Sequence, residues 1–182
     1  MTFNNKLVLS TGCPIKSQNA GLFISRGQGS HPTRIINSHE LILVKAGRLE
    51  LWEEEQNFSL DAGQTLHLFP ARRHGGMGTL PKGLEFYWIH FGVQDGSSDD
   101  SDIGSKCLDI PQVNRLRRPE KLEALFRYFL DSQEVGDLSQ ESANLLVQLM
   151  LIEVANSSSQ DSNDSENVSA LAASVYNPIW MN

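Results

Sequence analysis

The chain has 182 residues and a net charge of −7, and it is 40% hydrophobic and 20% charged. This length allows one sizeable hydrophobic core with appendages, and the sequence has no run of about 18 apolar residues that could span a membrane. Residues 1–94 carry nine Lys/Arg and seven Asp/Glu, whereas residues 95–182 carry six and fifteen. An acidic half without a basic stripe argues against direct binding of duplex DNA by this chain.

The N-terminus and the cysteines indicate a reducing compartment. The first residues lack the basic start, the apolar stretch and the cleavage site of a secretory signal. Cys13 and Cys107 are too few and too far apart for a disulfide framework or a metal knuckle. We therefore expect a cytoplasmic protein that has no membrane partner.

Six strand-length segments occur in the first 92 residues, each apolar or alternating in hydrophobicity and bounded by turn residues. They are residues 21–25, 40–47, 48–54, 57–60, 64–70 and 84–92. Many short strands at close spacing predict a β-sandwich or a small barrel. The glycine-rich segments 27–29 and 75–78 are predicted turns, and 75–78 is a candidate lip over a pocket. Residues 25–32, or the N-terminal arm before them, are a candidate lid.

Two helices are predicted after residues 94–105, an acidic and hydrophilic segment whose composition is typical of a mobile, solvated loop. The first helix, residues 118–133, has Pro119 in its first turn and one apolar stripe. The stripe consists of Leu122, Leu125, Phe126, Phe129 and Leu130. The second helix, residues 137–156, has Asp137 or Ser139 as its N-cap and is apolar nearly all round in its middle.

A helix without a polar face must be covered on more than one side. We expect the barrel and the first helix to cover one side, and the same helix of a second subunit to cover the other through Leu146, Leu149 and Met150. The alternative is a helix buried within one chain. Residues 156–167 are rich in Ser, Asn and Asp, which is typical of a linker, so the chain is expected to be the front part of a longer protein.

Several segments together resemble the N-terminal effector-sensing and dimerisation region of AraC/XylS-type transcriptional regulators. The order and spacing of Arg34, HELILVKAGRLEL (39–51), LDAGQTLHLFPARRH (60–74) and YWIHFG (87–92), followed by two helices, carry the resemblance. It implies a mainly β fold with C-terminal α-helices, in which a cupin-like double-stranded β-helix, or jelly-roll barrel, binds a small-molecule effector. It also implies a homodimer that contacts DNA only through a C-terminal helix-turn-helix domain absent from these residues.

The corresponding domain division has three parts. Residues 1–112 are predicted to form the ligand-sensing barrel with an N-terminal arm, and residues 113–156 the helical dimerisation element. Residues 157–182 are predicted to be a polar linker and the start of the missing DNA-binding domain.

The resemblance also nominates ligand-binding residues. Trp88 matches a tryptophan on which a sugar-responsive member stacks its sugar, and Arg34 lies close to that member's sugar-binding arginine. His74 matches a histidine near the same site. Two other sugar contacts are replaced by Gly76 and Phe86, so the expected effector is a different sugar or a sugar-like molecule.

Glu40 and His90 complete the candidate ligand-binding set, each with a simpler structural explanation. Glu40 could be a strand carboxylate paired with Arg34 or Arg48, and His90 could be a hydrogen-bonded strand residue. Strand alternation puts Trp88 and His90 on one face and Tyr87, Ile89 and Phe91 on the other. The sequence leaves open which face lines a cavity, and Trp88 could be either its wall or ordinary core.

A metal-dependent cupin enzyme, of sugar isomerase or dioxygenase type, is the alternative function. Its first metal motif needs two histidines one residue apart, but Arg34, Ile35 and Ile36 occupy those positions. His39 is adjacent to Glu40 and must therefore point to the opposite face of the strand. Three convergent ligands do not assemble, so we predict no metal, no cofactor, no catalytic residue and no enzymatic activity. A barrel filled by its own side chains, serving only dimerisation, is the third possibility.

Overall fold

The computed structural model describes residues 5–94 and 107–175, and side chains as far as residue 157. Within these ranges it contains eleven strands and two helices. The strands are β1 Lys6–Ser10, β2 Ile15–Ile24, β3 Arg34–Ile35, β4 His39–Ala46, β5 Arg48–Glu53, β6 Gln56–Asp61, β7 Gln64–Leu68, β8 Arg73–Gly76, β9 Glu85–Val93, β10 Cys107–Pro111 and β11 Val113–Arg115. The helices are α1 Pro119–Val135 and α2 Gln140–Val175.

The strands form two facing antiparallel sheets and a separate ribbon. One sheet has the order β11-β7-β4-β9-β2, the second has the order β3-β8-β5-β6, and β1 pairs with β10. Aliphatic side chains of both sheets fill part of the space between them, among them Ile42 of β4, Leu51 of β5 and Leu66 of β7. The predicted fold class is confirmed: the chain is a mainly β jelly-roll barrel followed by helices. All six predicted strands are present.

The helices pack on the outer face of the five-stranded sheet. Tyr87, Ile89 and Phe91 of β9 point outward and join Phe126 of α1 and Val147 of α2 in a second core. Pro119 begins α1 as predicted, and Gly136 ends it in a left-handed conformation with φ 81°. Ser139 caps α2, because its Oγ accepts a hydrogen bond from the backbone N–H of Ser142 at 3.1 Å.

The predicted turn and lip at 75–78 is partly wrong, because Gly75 and Gly76 belong to β8 and pair with Trp52 and Leu51. Their missing side chains permit close packing. A Cβ at Gly76 would lie 2.9 Å from the backbone nitrogen of His31, so this strand is held against the 25–33 segment.

The N-terminal arm does not cover the barrel in the part of it that the structure describes. β1 pairs with β10, the ribbon packs against α2, and Gln148 Nε2 donates a hydrogen bond to the carbonyl of Thr11 at 2.7 Å. The arm therefore lies beside the helices, and the 25–32 segment remains the candidate lid. The predicted mobile loop at 94–105 falls, after Gln94, outside the described residues.

Helix α2 continues well past its predicted end at Asn156, reaching Val175 after 36 residues. No glycine or proline occurs between Gln140 and Val175, so no strong helix breaker stops it, although Ser, Asn and Asp favour helices weakly. The assignment of 157–182 to a linker remains a prediction. Neither helix in the described ranges contains an apolar stretch that could cross a membrane.

One residue predicted to lie at the subunit interface, Met150, is buried within its own chain. Met150 is 0% exposed and lies in the core of its own chain, so it has no surface to offer a second subunit. Leu146 is partly buried against the same core. Leu145 and Leu149 are 65% and 42% exposed, so Leu149 is the predicted interface residue that the fold leaves on the surface.

Candidate functional site

The barrel interior is packed in one part and hollow in another. The hollow part is a cavity of about 290 Å³. The sheets contribute Asn19, Phe23, Arg34, Glu40, Phe86, Trp88 and His90 to its wall. The segment before β3 and the loop after β8 contribute Gln28, Gly29, Ser30, His31, Pro32 and Leu80.

The structure settles which face of β9 lines the cavity. Trp88 and His90 point inward with Phe86, whereas Tyr87, Ile89 and Phe91 point toward the helices. The rings of Trp88 and His90 meet edge to face, with centroids 5.3 Å apart. Trp88 is half-buried, so part of its indole is available to a ligand.

The cavity wall changes from polar to aromatic along β9. His90 pairs with Glu40, Trp88 with Ile42, and Phe86 with Val44. Residues two apart on a strand are separated by about 7 Å, so the polar and aromatic layers are about 13 Å apart with Trp88 between them. Phe86 stacks on Phe23 of β2, with ring centroids 4.9 Å apart. A bound molecule can therefore place a polar group at one end and a ring at the other.

Arg34 organises the polar end. Its Nε donates to Nε2 of His74, and its Nη2 donates to Oε2 of Glu40, both at 3.3 Å. The same Glu40 oxygen lies 3.7 Å from Nε2 of His90, whose Nδ1 contacts the Ser38 hydroxyl at 3.0 Å. The structure thus brings all five predicted ligand-binding residues together. His74 is fully buried and reaches the cavity only through Arg34.

Burial shifts the pKa values of this cluster away from their ordinary range. Desolvation raises the pKa of Glu40 to about 7, although the Arg34 guanidinium opposes the shift. Desolvation, assisted by Arg34, lowers the pKa values of His31 and His90 to about 4 and also lowers that of His74. Above pH 6.5 the three imidazoles are therefore neutral, and Glu40 is the cluster member that titrates.

The arrangement does not offer a metal site. Among the described residues, no three His, Cys, Asp or Glu side chains converge in a way that could hold an ion. The guanidinium of Arg34 lies between Glu40 and His74 and supplies the positive charge there. His67 cannot join them, because it lies on the outer face of the sheet and contacts Nδ1 of His39 through its Nε2 at 2.9 Å.

Several residues of the site were not predicted from the sequence, and three of them show why. Phe23 pairs directly with Phe86 across β2 and β9, so knowledge of the strand register would have identified it. His31 enters from an irregular segment, where no periodicity indicates side-chain direction. Gly21 pairs with Trp88, but a glycine has no side chain whose chemistry could indicate a site residue.

Gly21 sets the position of the Trp88 indole. A Cβ at Gly21 would lie 2.7 Å from Cζ2 and 2.8 Å from Nε1 of Trp88, closer than carbon and nitrogen atoms can approach. The indole therefore packs directly on the backbone of β2 at Gly21, and Trp88 also lines the cavity. Any side chain at residue 21 must push the ring away.

We expect Gly21→Ala to weaken ligand binding at least tenfold, because the displaced indole would enter the space that a ligand occupies. The emission of Trp88 should shift in a background in which Trp52 and Trp180 are phenylalanine. Gly92→Ala is the matched control, since a Cβ there would meet only the carbonyl of Lys16, at 4.0 Å. Equal effects of the two substitutions would contradict the positioning role of Gly21.

Comparison with known proteins identifies one curated relative. The chain is 26% identical over 153 residues to an uncharacterized HTH-type transcriptional regulator, YisR, of Bacillus subtilis (strain 168). The match covers 71% of this chain and 53% of that protein, so the chain spans about half the length of the curated relative it matches. No family model matches the sequence.

Solved structures with a related fold include a Cupin 2 conserved barrel domain protein from Salinispora arenicola, with 15% identity and a TM-score of 0.35 over 45% of this chain and 77% of that one. The EutQ protein of Clostridium difficile has 11% identity and a TM-score of 0.34 over 44% and 70%. The DMSP lyase DddQ from Ruegeria pomeroyi has 13% identity and a TM-score of 0.34 over 64% and 53%.

Proposed function

We propose that this chain is the small-molecule-sensing and dimerisation region of an AraC-type DNA-binding transcriptional regulator, with a sugar-like effector in the barrel cavity. In this proposal the chain uses no metal or cofactor and catalyses no reaction. The observation that carries it is the inward-facing Trp88 beside the Arg34–Glu40 pair, in a part of the barrel that side chains leave empty. The similarity to a protein named as an HTH-type transcriptional regulator supports the regulatory role.

The residues of the cavity suit the recognition of a small molecule. An indole offers an apolar face that packs against the C–H face of a sugar or against another ring. A guanidinium supplies a fork of donors that orients hydroxyl or carboxylate groups. Small-molecule sites are generally concave and largely apolar with a few polar groups, as this cavity is.

Strand β9 gives the proposal a route from effector to helices. Its inward residues, Trp88 and His90, contact the cavity, while its outward residues contact the helices: Tyr87 stacks on Phe126 of α1 with ring centroids 5.2 Å apart. An effector that binds one arrangement of this strand better than another would shift the helices with it. Differential affinity for two arrangements is the physical requirement for such a sensor.

The helices would transmit this shift to a partner subunit and to DNA. We propose that two chains pair through α2, whose exposed Leu145 and Leu149 are one helical turn apart. DNA binding is assigned to a helix-turn-helix domain elsewhere in the full-length protein, because the acidic half of this chain is unsuited to phosphate contacts.

The sensor proposal predicts ligand-dependent thermal stabilisation that requires Trp88. A thermal-shift screen of sugars, sugar acids and aromatic acids should find a compound that raises Tm by several degrees at saturating concentration, because binding to the folded state alone stabilises it. Trp88→Ala should abolish the shift. Trp88→Phe should retain part of it, because a smaller aromatic face remains.

Two results would contradict the proposal. A ligand that binds Trp88→Ala as tightly as the wild-type protein, with both proteins folded, would place the site elsewhere. Elemental analysis that finds close to one equivalent of Fe, Mn, Zn or Ni in the purified protein would favour the alternative, a metal-dependent enzyme. In that case Arg34→Ala should change the metal content, since Arg34 lies between two of the potential ligands.

A further inference from the structure

We propose that the effector carries a carboxylate, which binds the Arg34 guanidinium in place of Glu40. The inference rests on the proposed function, because it assumes that the cavity is an effector site, and it specifies the chemical class of the effector. It concerns one end of the cavity, where the side chains of Arg34 and Glu40 meet.

The electrostatics of the cavity wall favour an anion at this position. Arg34 supplies the single Lys or Arg side chain among the described lining residues, and Glu40 the single carboxylate. The side chain of Arg34 is 38% exposed, whereas that of Glu40 is 2% exposed. A molecule entering the cavity therefore meets the positive member of the pair first.

Arg34 can form stronger hydrogen bonds with a ligand than those it forms within the protein. It makes one hydrogen bond to Glu40 and one to His74, both 3.3 Å long, which is longer than the range of about 2.7–2.9 Å in which charge-assisted hydrogen bonds are strong. These bonds use Nε and Nη2, so Nη1 is the guanidinium nitrogen available to a ligand. A ligand carboxylate could engage Nη1 and Nη2 together, in the bidentate geometry that arginine favours.

Other ligand charges fit the site less well. A cationic ligand would be repelled by Arg34 and would find the carboxylate of Glu40 buried behind it. A neutral polyol would gain hydrogen bonds but would leave the Arg34–Glu40 pair in place. Of these three classes of ligand, only an anion is attracted to Arg34, which is the more exposed member of the Arg34–Glu40 pair.

The rest of the cavity indicates the size and chemical character of the remainder of such a ligand. Trp88 and then the Phe23–Phe86 pair lie along the wall from the polar end. The volume of about 290 Å³ corresponds to that of about ten water molecules. The expected effector is therefore a carboxylate on one compact ring, of sugar-acid or aromatic-acid type.

Binding of a carboxylate should be coupled to the uptake of a proton. The charged and titratable groups closest to Glu40 are its ion-pair partner Arg34 and His90, whose Nε2 lies 3.7 Å away, while His31 and His74 adjoin Arg34. A ligand carboxylate would take the stabilising charge of Arg34 from Glu40 and add a second negative charge beside it. The pKa of Glu40 would therefore rise above its value of about 7 in the empty site, and the proton would come from solvent.

Two matched pairs of compounds test the inference: glucuronate with glucose, and benzoate with benzyl alcohol, titrated calorimetrically into the chain at pH 6 and pH 8. At least one acid should bind 100-fold or more tightly than its neutral partner. Its affinity should fall about tenfold from pH 6 to pH 8, as the protonated fraction of Glu40 falls. Both acids are ionised throughout this range, so the change reports on the protein.

Two variants assign the effect to the two side chains. Glu40→Gln should remove the pH dependence and raise the affinity for the acid at pH 8, because it removes the competitor for Arg34. Arg34→Gln should abolish acid binding, with folding confirmed by its melting temperature; if it does not fold, Arg34→Lys should still lower the affinity by losing the bidentate contact. A pH dependence that survives in Glu40→Gln would overturn the inference.

The two proposals fail in different ways. Tight binding of a neutral compound that depends on Trp88, without preference for its acid partner, would sink the carboxylate inference and leave the sensor proposal intact. Binding of none of the four compounds would also overturn the inference. Failure of the broader thermal-shift screen as well would remove the sensor proposal itself.

Discussion

Replacing Glu40 with glutamine should stabilise the ligand-free protein at pH 8 by up to about 3 kcal/mol. The carboxyl is 2% exposed, and its single ion pair with Arg34 does not compensate for its desolvation, as its pKa of about 7 indicates. A carboxyl with a raised pKa contributes stability below its unfolded value of 4.5 and loses it as pH rises through 7. A glutamine has no such loss.

The measurement is urea unfolding of both proteins from pH 4 to pH 8. The advantage of Glu40→Gln should appear above pH 4.5 and level off above pH 7. Histidines with lowered pKa values, such as His31 and His90, act in the opposite direction, because their stabilising effect is lost as pH falls from 6.5 through 4. The difference between the two proteins cancels this background.

Glu53→Gln is the control for a buried carboxylate with a full set of partners. Glu53 accepts hydrogen bonds from the backbone N–H of Phe69 at 2.7 Å, from Nη1 of Arg72 at 3.1 Å and from Nε2 of Gln112 at 2.6 Å. An amide would turn its own donor toward at least one of these donors. Desolvation also raises the pKa of Glu53, but these three hydrogen bonds oppose that effect and would be disrupted by the amide, so we expect a loss of about 2–4 kcal/mol, opposite in sign to the effect at Glu40. Destabilisation by both substitutions would mean that Glu40 is a structural residue.

Replacing Met150 with glutamate should unfold the protein or destabilise it by about 4 kcal/mol or more, because a charge would be buried without a partner. Met150 is 0% exposed in a core that α2 shares with α1 and the outer face of the sheet. Leu149→Glu, one residue earlier, should leave stability within about 1 kcal/mol of wild type in the monomer. Urea unfolding and circular dichroism separate these outcomes.

The two exposed leucines of α2, Leu145 and Leu149, provide the test of dimerisation. Sedimentation should show the dimer that we propose for the wild-type chain, and a folded monomer for Leu145→Glu/Leu149→Glu. A dimer that persists in this double variant would show that the α2 surface around these leucines is not the interface. A folded Met150→Glu monomer would instead restore Met150 to the subunit contact.

Much of the fold could be predicted from local pattern. Alternating apolar residues and glycine turns identified the six longer strands of the two sheets, and Pro119 and the apolar stripe identified α1. The short strands β3 and β8 could not be identified, because two to four residues show no periodicity and β8 contains two glycines. The length of α2 was underestimated because the Ser, Asn and Asp of residues 156–167 indicate a low helix propensity, and a low propensity does not mark the position at which a helix ends.

The sequence indicated which residues line the cavity better than it indicated how they are arranged. Arg34, Glu40, Trp88 and His90 line the cavity, but the sequence did not show which face of β9 is inward. That choice depends on where the helices pack, which is a tertiary property. The burial of Met150 within its own chain could not be predicted for the same reason, since the apolar circumference of α2 does not distinguish contacts within the chain from contacts with a second copy.

Because β9 alternates between cavity and helix contacts, the two requirements fall on different positions of one strand. Substitutions at 86, 88 and 90 would change the ligand specificity of the proposed site. Substitutions at 87, 89 and 91 would change the surface of the sheet on which the helices pack. Insertion or deletion of one residue would exchange the two sets and destroy both. If the cavity is an effector site, as we propose, directed evolution toward new ligands should therefore accept replacements at positions 86, 88 and 90 and reject length changes in this strand.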